Sequence, residues 1–319
     1  MATEPILLIR RLPVAMVDSE TRPVASRYAA LSDYWALTKP EVNFLIALAT
    51  FAGFYLALPA HVSRFPWMLL IHTLLGTLLV ASGTGTLNQY IEHRFDALMR
   101  RTSRRPLAAG RLEPSGVLWF GVAVSAVGSI YLAIAVNPFA AGLSIVTLLT
   151  YLFLYTPLKR KTPLCTLVGA VPGAVPPLIG WAAASGTIGS QAWVLSAVVF
   201  LWQFPHFMAI AWMYREDYRR AGYFVLPEGK GRHPVVSLQT IVPLLALFPI
   251  ALLPAWDQPG ILYRLGALLL NLAFFHYGAR FVVQRSSAAA RRLLTASIIY
   301  LPSILALMSL RGVSSRPGS

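Results

Sequence analysis

A chain of 319 residues that is 56% hydrophobic and only 12% charged, with mean hydropathy +0.62, does not have the composition of one or two soluble domains; lipid is the solvent it fits. The net charge of +15 would indicate nucleic acid in a soluble protein, but here the basic residues stand between apolar runs, where they set topology, and nucleic acid is excluded as a partner. Cys165, the single cysteine, lies within an apolar run, so neither an intramolecular disulfide nor a thiolate metal cage can form.

Residues 1–35 mix Arg10, Arg11, Arg22 and Arg27 with Glu4, Asp18, Glu20 and Asp33, and two arginines interrupt the apolar stretch from Ile6 to Met16. That pattern makes a poor signal peptide and an unusually acidic transit segment, and it reads as a flexible cytoplasmic tail. Residues 36–312 then hold nine apolar runs, at 42–60, 67–87, 116–136, 139–156, 164–184, 192–212, 235–255, 261–283 and 293–310, and 313–319 form a short second tail. A hydrocarbon core about 30 Å thick takes roughly 20 such residues per helix, so the fold class is an all-α membrane protein of nine transmembrane helices surrounded by the lipid bilayer.

Of the 27 lysines and arginines, 23 fall ahead of span one, in the connections after spans two, four and six, or between Arg280 at the end of span eight and the start of span nine. The positive-inside rule puts these segments in the cytoplasm of a bacterial inner membrane, with the matrix face of the mitochondrial inner membrane as the alternative. Two connections on that face, 88–114 and 213–234, are long and carry both charge signs, and function is expected there. They lie four spans apart, which hints at two related halves.

In the first of them Asn88, Glu92 and Asp96 recur every four residues, so a helix continuing past span two carries all three on one stripe. Carboxylates beside hydrocarbon need a cationic partner. Mg²⁺ with a substrate phosphate is one candidate, because hard oxygen ligands suit it, and Arg101 and Arg105 in the five-arginine run from Arg100 to Arg111 suit phosphate. Structural salt bridges to Arg100 or Arg101 in a topology-setting loop are the other. The second connection repeats the theme with Tyr214, Glu216, Asp217 and Tyr218 beside Arg215, Arg219 and Arg220, and the two clusters are expected to meet over one cavity. Trp202 and His206 stand in the preceding span, where an imidazole is costly and serves either a ligand or a neighbouring helix. His72, also within a span, is expected to be structural.

The spacing of Asn88, Glu92 and Asp96, continued by Met99, Arg101, Thr102, Arg105, Pro106 and Leu107, resembles the motif of the UbiA-type intramembrane prenyltransferases, and within them the branch that farnesylates haem. Thr38, Lys39 and Pro40; Tyr155, Thr156, Lys159, Arg160 and Thr162; Pro176, Pro177, Gly180 and Trp181; Trp202, Gln203, Pro205, His206 and Phe207; and Tyr214, Asp217, Tyr218, Ala221 and Gly222 extend the likeness over residues 35–310. Two positions depart from it. Glu92 stands where many relatives have Asp, and Ala221 occupies the place four after Asp217 where quinone-type enzymes have a second aspartate, which favours haem over a quinone precursor or a chlorophyll-like acceptor.

The resemblance implies farnesyl diphosphate and haem B as substrates. It implies Mg²⁺ held by Asn88, Glu92, Asp96 and Asp217, with Arg101, Arg105 and Lys159 or Arg160 on the diphosphate. Tyr155, Trp202, Tyr214 and Tyr218 would wall the allylic cation, and His206 would serve the porphyrin. A haem-modifying enzyme or a terminal-oxidase assembly factor is the docking partner it implies. A secondary transporter, or a purely structural assembly subunit, is the rival class.

Overall fold

Proline starts several helices of this bundle, where its missing N–H is no loss and its φ is already helical. The computed structural model describes residues 27–59, 62–226, 234–253 and 260–309; the N-terminal tail up to residue 26 and residues 313–319 lie outside them. The elements are α1 (Arg27–Leu37), α2 (Pro40–Ala57), α3 (Trp67–Asp96), α4 (Pro114–Ala135) and α5 (Pro138–Leu149), a π-helical turn (Thr150–Tyr155), then α6 (Thr156–Leu158), α7 (Cys165–Gly173), α8 (Pro176–Ser185), α9 (Ser190–Met213), α10 (Arg215–Arg220), α11 (Pro234–Leu252), α12 (Ile261–Gln284) and α13 (Ser287–Ser309). Among the described residues there is no strand, and nine segments are long and apolar enough to cross a membrane. The protein is an integral membrane protein.

Three departures from the sequence reading have physical causes. Residues 27–35 form most of α1 instead of the end of a flexible tail, because Arg111 grips Asp33 through two guanidinium nitrogens at 2.9 and 3.0 Å. Span five is two helices, since Pro172 and the Pro176-Pro177 pair interrupt the backbone ladder between α7 and α8. Span four ends in the π-helical turn, in which Thr156 Oγ1 donates to the Tyr151 carbonyl 2.9 Å away. Such a turn inserts one residue into the helical register and re-aims the side chains at and beyond it, here Tyr155 and Lys159.

With lipid outside, helices gain little by hiding apolar surface from each other, and close backbone approach supplies the packing. The tightest example is α2 against α8. A side chain on Gly53 would collide with the Pro177 carbonyl, and one on Gly180 with the Thr50 carbonyl. Polar side chains add specific links: Asn137 caps α5 by accepting from the Ala140 N–H at 2.8 Å and donates to the Ala182 carbonyl at 3.0 Å, and His72 meets Tyr131 at 2.6 Å across α3 and α4. Large apolar side chains such as Ile134 and Leu262 point outward, as a lipid-facing perimeter requires.

Gly180→Leu is expected to force α2 and α8 apart and to lower stability by about 3 kcal/mol, the upper range for overpacking. Thermal unfolding in detergent checks this; an unshifted midpoint counts against the glycine contact as the lock between these helices.

Candidate active site

Helix α3 runs nine residues beyond its apolar stretch, and that extension carries the site. Asn88, Glu92 and Asp96 lie on one stripe and are 2%, 6% and 1% exposed, too buried for the carboxylates to stay charged without partners. The partners come from elsewhere in the chain. Lys159 Nζ sits 2.9 and 3.1 Å from the two Glu92 carboxylate oxygens, and Arg105 Nη1 lies 2.7 Å from Asp96 Oδ2. Burial works against the charge on Lys159, but Glu92, with Tyr155 and Tyr151 nearby, holds it well above the usual lysine value.

The loop after α3 is wound tightly enough to return Arg105 to the helix it just left. Thr102 donates to the Asp96 carbonyl at 2.9 Å and is buried with Met99, and the Ser103 N–H donates to the Met99 carbonyl at 2.8 Å. On the far side Gly222 follows the cap of α10 with a φ of +70° that suits glycine, and the Tyr223 N–H reaches back to the Tyr218 carbonyl at 2.9 Å. The Phe224 N–H then donates to the Lys159 carbonyl at 2.8 Å, stitching this loop to the one that carries Lys159.

The connections after spans two, four and six therefore meet, around a cavity lined by Glu92, Asp96, Arg101, Arg105, Lys159, Tyr155, Tyr218 and Tyr223, with Phe207, Ile210 and Ala211 of α9 on its apolar side. Asp217 does not join them. Its Oδ2 accepts from the Arg101 N–H and its Oδ1 from Arg220, both at 3.2 Å, and it lines an adjoining cavity with Arg100, Tyr214 and Glu216. Arg101 lines both cavities and forms the partition. Of the expected metal ligands, Glu92 and Asp96 line the first cavity, Asn88 donates to Glu92 Oε2, and Asp217 lines the second; among the described residues no three His, Cys, Asp or Glu side chains form a group that could hold a metal. The Arg101 amide and the Arg220 guanidinium satisfy Asp217 where it stands.

The other expected residues divide. Tyr155 and Tyr218 face the first cavity and Tyr214 the second, while the Arg101 guanidinium lies 5.0 Å over the Tyr214 ring. Arg160 is turned onto the Phe95 ring at 4.2 Å and lines neither. Trp202 and His206 stack with centroids 4.8 Å apart and both engage α13: the Trp202 Nε1–H donates to the Ser297 carbonyl at 2.7 Å, and His206 Nδ1 lies 2.8 Å from Ser297 Oγ. The Ser297 hydroxyl also donates to the Leu294 carbonyl at 2.6 Å, an arrangement that suits the His206 tautomer with its proton on Nδ1 and a lone pair on Nε2.

Sequence reasoning gave no role to Lys39 or Tyr223. Lys39 Nζ donates to Asn88 Oδ1 at 3.1 Å, and burial, with Arg105 and Lys159 close by, brings it down to about 7 against the pull of Glu92 and Asp96. A lysine ahead of a membrane span looks like any topology signal, and only the fold carries it to Asn88. Tyr223 is buried beside Phe95 and Tyr218, and its signal was its place directly after Ala221 and Gly222.

Residues 46–301 match the model of the UbiA prenyltransferase family. The chain belongs to that family. It is 45% identical over 295 residues to the protoheme IX farnesyltransferase of Solibacter usitatus, covering 90% of this chain and 100% of that one, and 40% identical over 279 residues to the one of Salinibacter ruber, covering 87% and 98%. The mitochondrial protoheme IX farnesyltransferase of Arabidopsis thaliana is 37% identical, covering 92% of this chain and 70% of that one. Among solved structures, the bundle is similar to a digeranylgeranylglyceryl phosphate synthase (TM-score 0.69, 15% identity, 89% of this chain and 98% of that one) and to a UbiA homologue of Archaeoglobus fulgidus bound to GPP and Mg²⁺ (TM-score 0.57, 14% identity, 87% and 99%). The chain is a prenyltransferase, as its family indicates.

Lys159→Met is expected to leave Glu92 buried without its counter-charge and to cost about 3 kcal/mol of stability. The unfolding midpoint in detergent reads this, and a wild-type value would mean that Glu92 does not depend on Lys159.

Proposed function

We propose that the chain moves the farnesyl group of farnesyl diphosphate to a vinyl group of haem B, with water adding to give haem O. One observation carries the reading: a buried cluster of carboxylates and cations, suited to a metal diphosphate, faces an aromatic and apolar chamber in a chain 45% identical to a protoheme IX farnesyltransferase along that protein's whole length. The functional unit is the one helical bundle, residues 36–312.

The donor set fits Mg²⁺. Asn88, Glu92 and Asp96 offer hard oxygens on one buried stripe, and the two carboxylates are already matched by cations that a metal could replace. When bound there, Mg²⁺ supplies Lewis-acid stabilisation of the departing diphosphate. With the carboxylates holding the metal, Arg105 and Lys159 would be free to take phosphate oxygens, and Arg101, which lines the same cavity, would add charge. Asp217, which accepts from the Arg101 N–H, holds the Arg101 backbone in place.

Tyr155, Tyr218 and Phe207 line the chamber with aromatic rings, which favour an allylic cation and exclude water while it lasts. The allylic C–O bond breaks, and the terminal vinyl carbon forms the new C–C bond. The cation left next to the porphyrin takes water and releases a proton. Haem B, farnesyl diphosphate and water thereby become haem O, diphosphate and a proton.

His206 serves the acceptor. Its Nδ1–H is committed to Ser297, so the imidazole presents Nε2 as a ligand for haem iron, one helical turn from Ile210 at the cavity wall. By the positive-inside rule the site opens to the cytoplasmic face of a bacterial inner membrane. Its product passes to a haem-modifying enzyme or to a terminal-oxidase assembly factor.

Purified protein given haem B, farnesyl diphosphate and Mg²⁺ is expected to yield haem heavier by one farnesyl group plus water in mass spectrometry; product only from a quinone precursor would reject the haem acceptor. Asp96→Asn is expected to keep the fold and lose about 100-fold in turnover, the scale for removing one pre-organised transition-state contact. His206→Ala is expected to weaken haem B binding about tenfold and shift its Soret band, the scale seen for disturbed metal ligation. An unchanged spectrum would leave Nε2 without a role at the iron.

A further inference from the structure

The turn that joins α1 to α2 is built more firmly than a surface connection needs. Gln89 and Thr86 of α3 donate to the Leu37 carbonyl at 3.0 and 3.4 Å, and Asn43 Nδ2 donates both to the Thr38 carbonyl at 3.0 Å and to Ser82 Oγ at 2.8 Å. Held this way, Lys39 adopts φ 53° and ψ 62°, a left-handed conformation unusual for a non-glycine residue and further disfavoured by the following Pro40. Strain of this kind persists only where surrounding contacts over-determine it. Its product is a direction: the Lys39 stem lies over Gly85, where an added Cβ would come within 3.4 Å of Lys39 Cδ, and the ammonium is delivered to Asn88.

What Lys39 finds there is not a counter-ion. Among the described residues Glu92 is paired with Lys159 and Asp96 with Arg105, and Lys39 makes no ion pair; it holds only the neutral amide oxygen of Asn88. Asn88 in turn donates to Glu92 Oε2 at 3.0 Å, so the ammonium is two hydrogen bonds from the cavity wall. When Lys39 carries its proton, three cations surround two carboxylates, an excess of positive charge that is costly in a buried place and that burial, Arg105 and Lys159 all work against. A divalent metal on the carboxylates enlarges the excess. A polyanion cancels it.

We propose that Lys39 belongs to the diphosphate site, exchanging the Asn88 amide oxygen for a phosphate oxygen when the metal diphosphate enters. The stem of lysine is flexible and its ammonium has two further protons to donate, which suits such an exchange better than a fixed guanidinium fork. In the same movement Asn88 Oδ1 is uncovered for the metal, so that one residue both guards the ligand and receives the leaving group. The inference rests on the prenyl diphosphate reading of this cavity.

The test uses the full chain in detergent with inorganic pyrophosphate and saturating Mg²⁺, read by calorimetry. Lys39→Gln is expected to weaken pyrophosphate binding about tenfold or more, the scale of one charge-assisted hydrogen bond, while Lys39→Arg retains most of it and haem B binding is unchanged in both. In the wild-type protein, Mg²⁺ and pyrophosphate are expected to protect Lys39 from amine acylation, measured on the peptide by mass spectrometry, which keeps the question open to decision if the glutamine variant does not fold. Wild-type affinity in Lys39→Gln, or acylation of Lys39 indifferent to pyrophosphate, overturns the role of Lys39 alone. Failure of the wild-type chain to bind pyrophosphate with Mg²⁺ overturns the diphosphate reading together with it.

Discussion

Two carboxylates buried at one end of a membrane helix constrain everything else in this protein. Glu92 and Asp96 are almost wholly removed from water, and an unpaired ionised carboxylate in such a place would cost several kcal/mol. Each is met by a cation from a different loop, Lys159 from beyond span four and Arg105 from the turn after span two. Those two meetings dictate the architecture around them: the connection after span two must fold back on itself, the π-helical turn must aim Lys159 inward, and the loop after α10 must pin Lys159 through its carbonyl.

The same constraint gives the site its chemistry. Ion pairs buried only to stabilise a fold contribute little, since well-packed apolar side chains often do as well. Here the charges line a cavity, and their cations can change partners. Under the proposed function, a metal on the carboxylates would release those cations to a diphosphate. The charged cluster lies at the end of a span beside polar loops, away from the middle of the bilayer where a transporter would hold its substrate.

The division between the two cavities changes the meaning of the second acidic cluster. Asp217 stands on the expected helix next to the expected arginines, yet it is engaged by the Arg101 amide and by Arg220. Its bond to the Arg101 amide links it to the first cavity, since Arg101 lines both. The aromatic pair Trp202 and His206 is likewise turned to α13, where Ser297 fixes the imidazole.

Much was legible in the residues alone. Apolar runs of membrane length can satisfy their backbone in lipid only as helices, so composition suffices for the nine spans, and helical periodicity suffices for the shared stripe of Asn88, Glu92 and Asp96 once α3 continues to Asp96. Local spacing cannot say which distant charge answers which. That Lys159 meets Glu92, that Asp217 takes the Arg101 amide and Arg220, that Arg160 lies on Phe95, and that Lys39 arrives at Asn88 are facts of the folded bundle. Periodicity is a property of one helix, whereas burial forces each charge to find its partner among whatever loops the packing brings within reach, and that choice is made only in three dimensions.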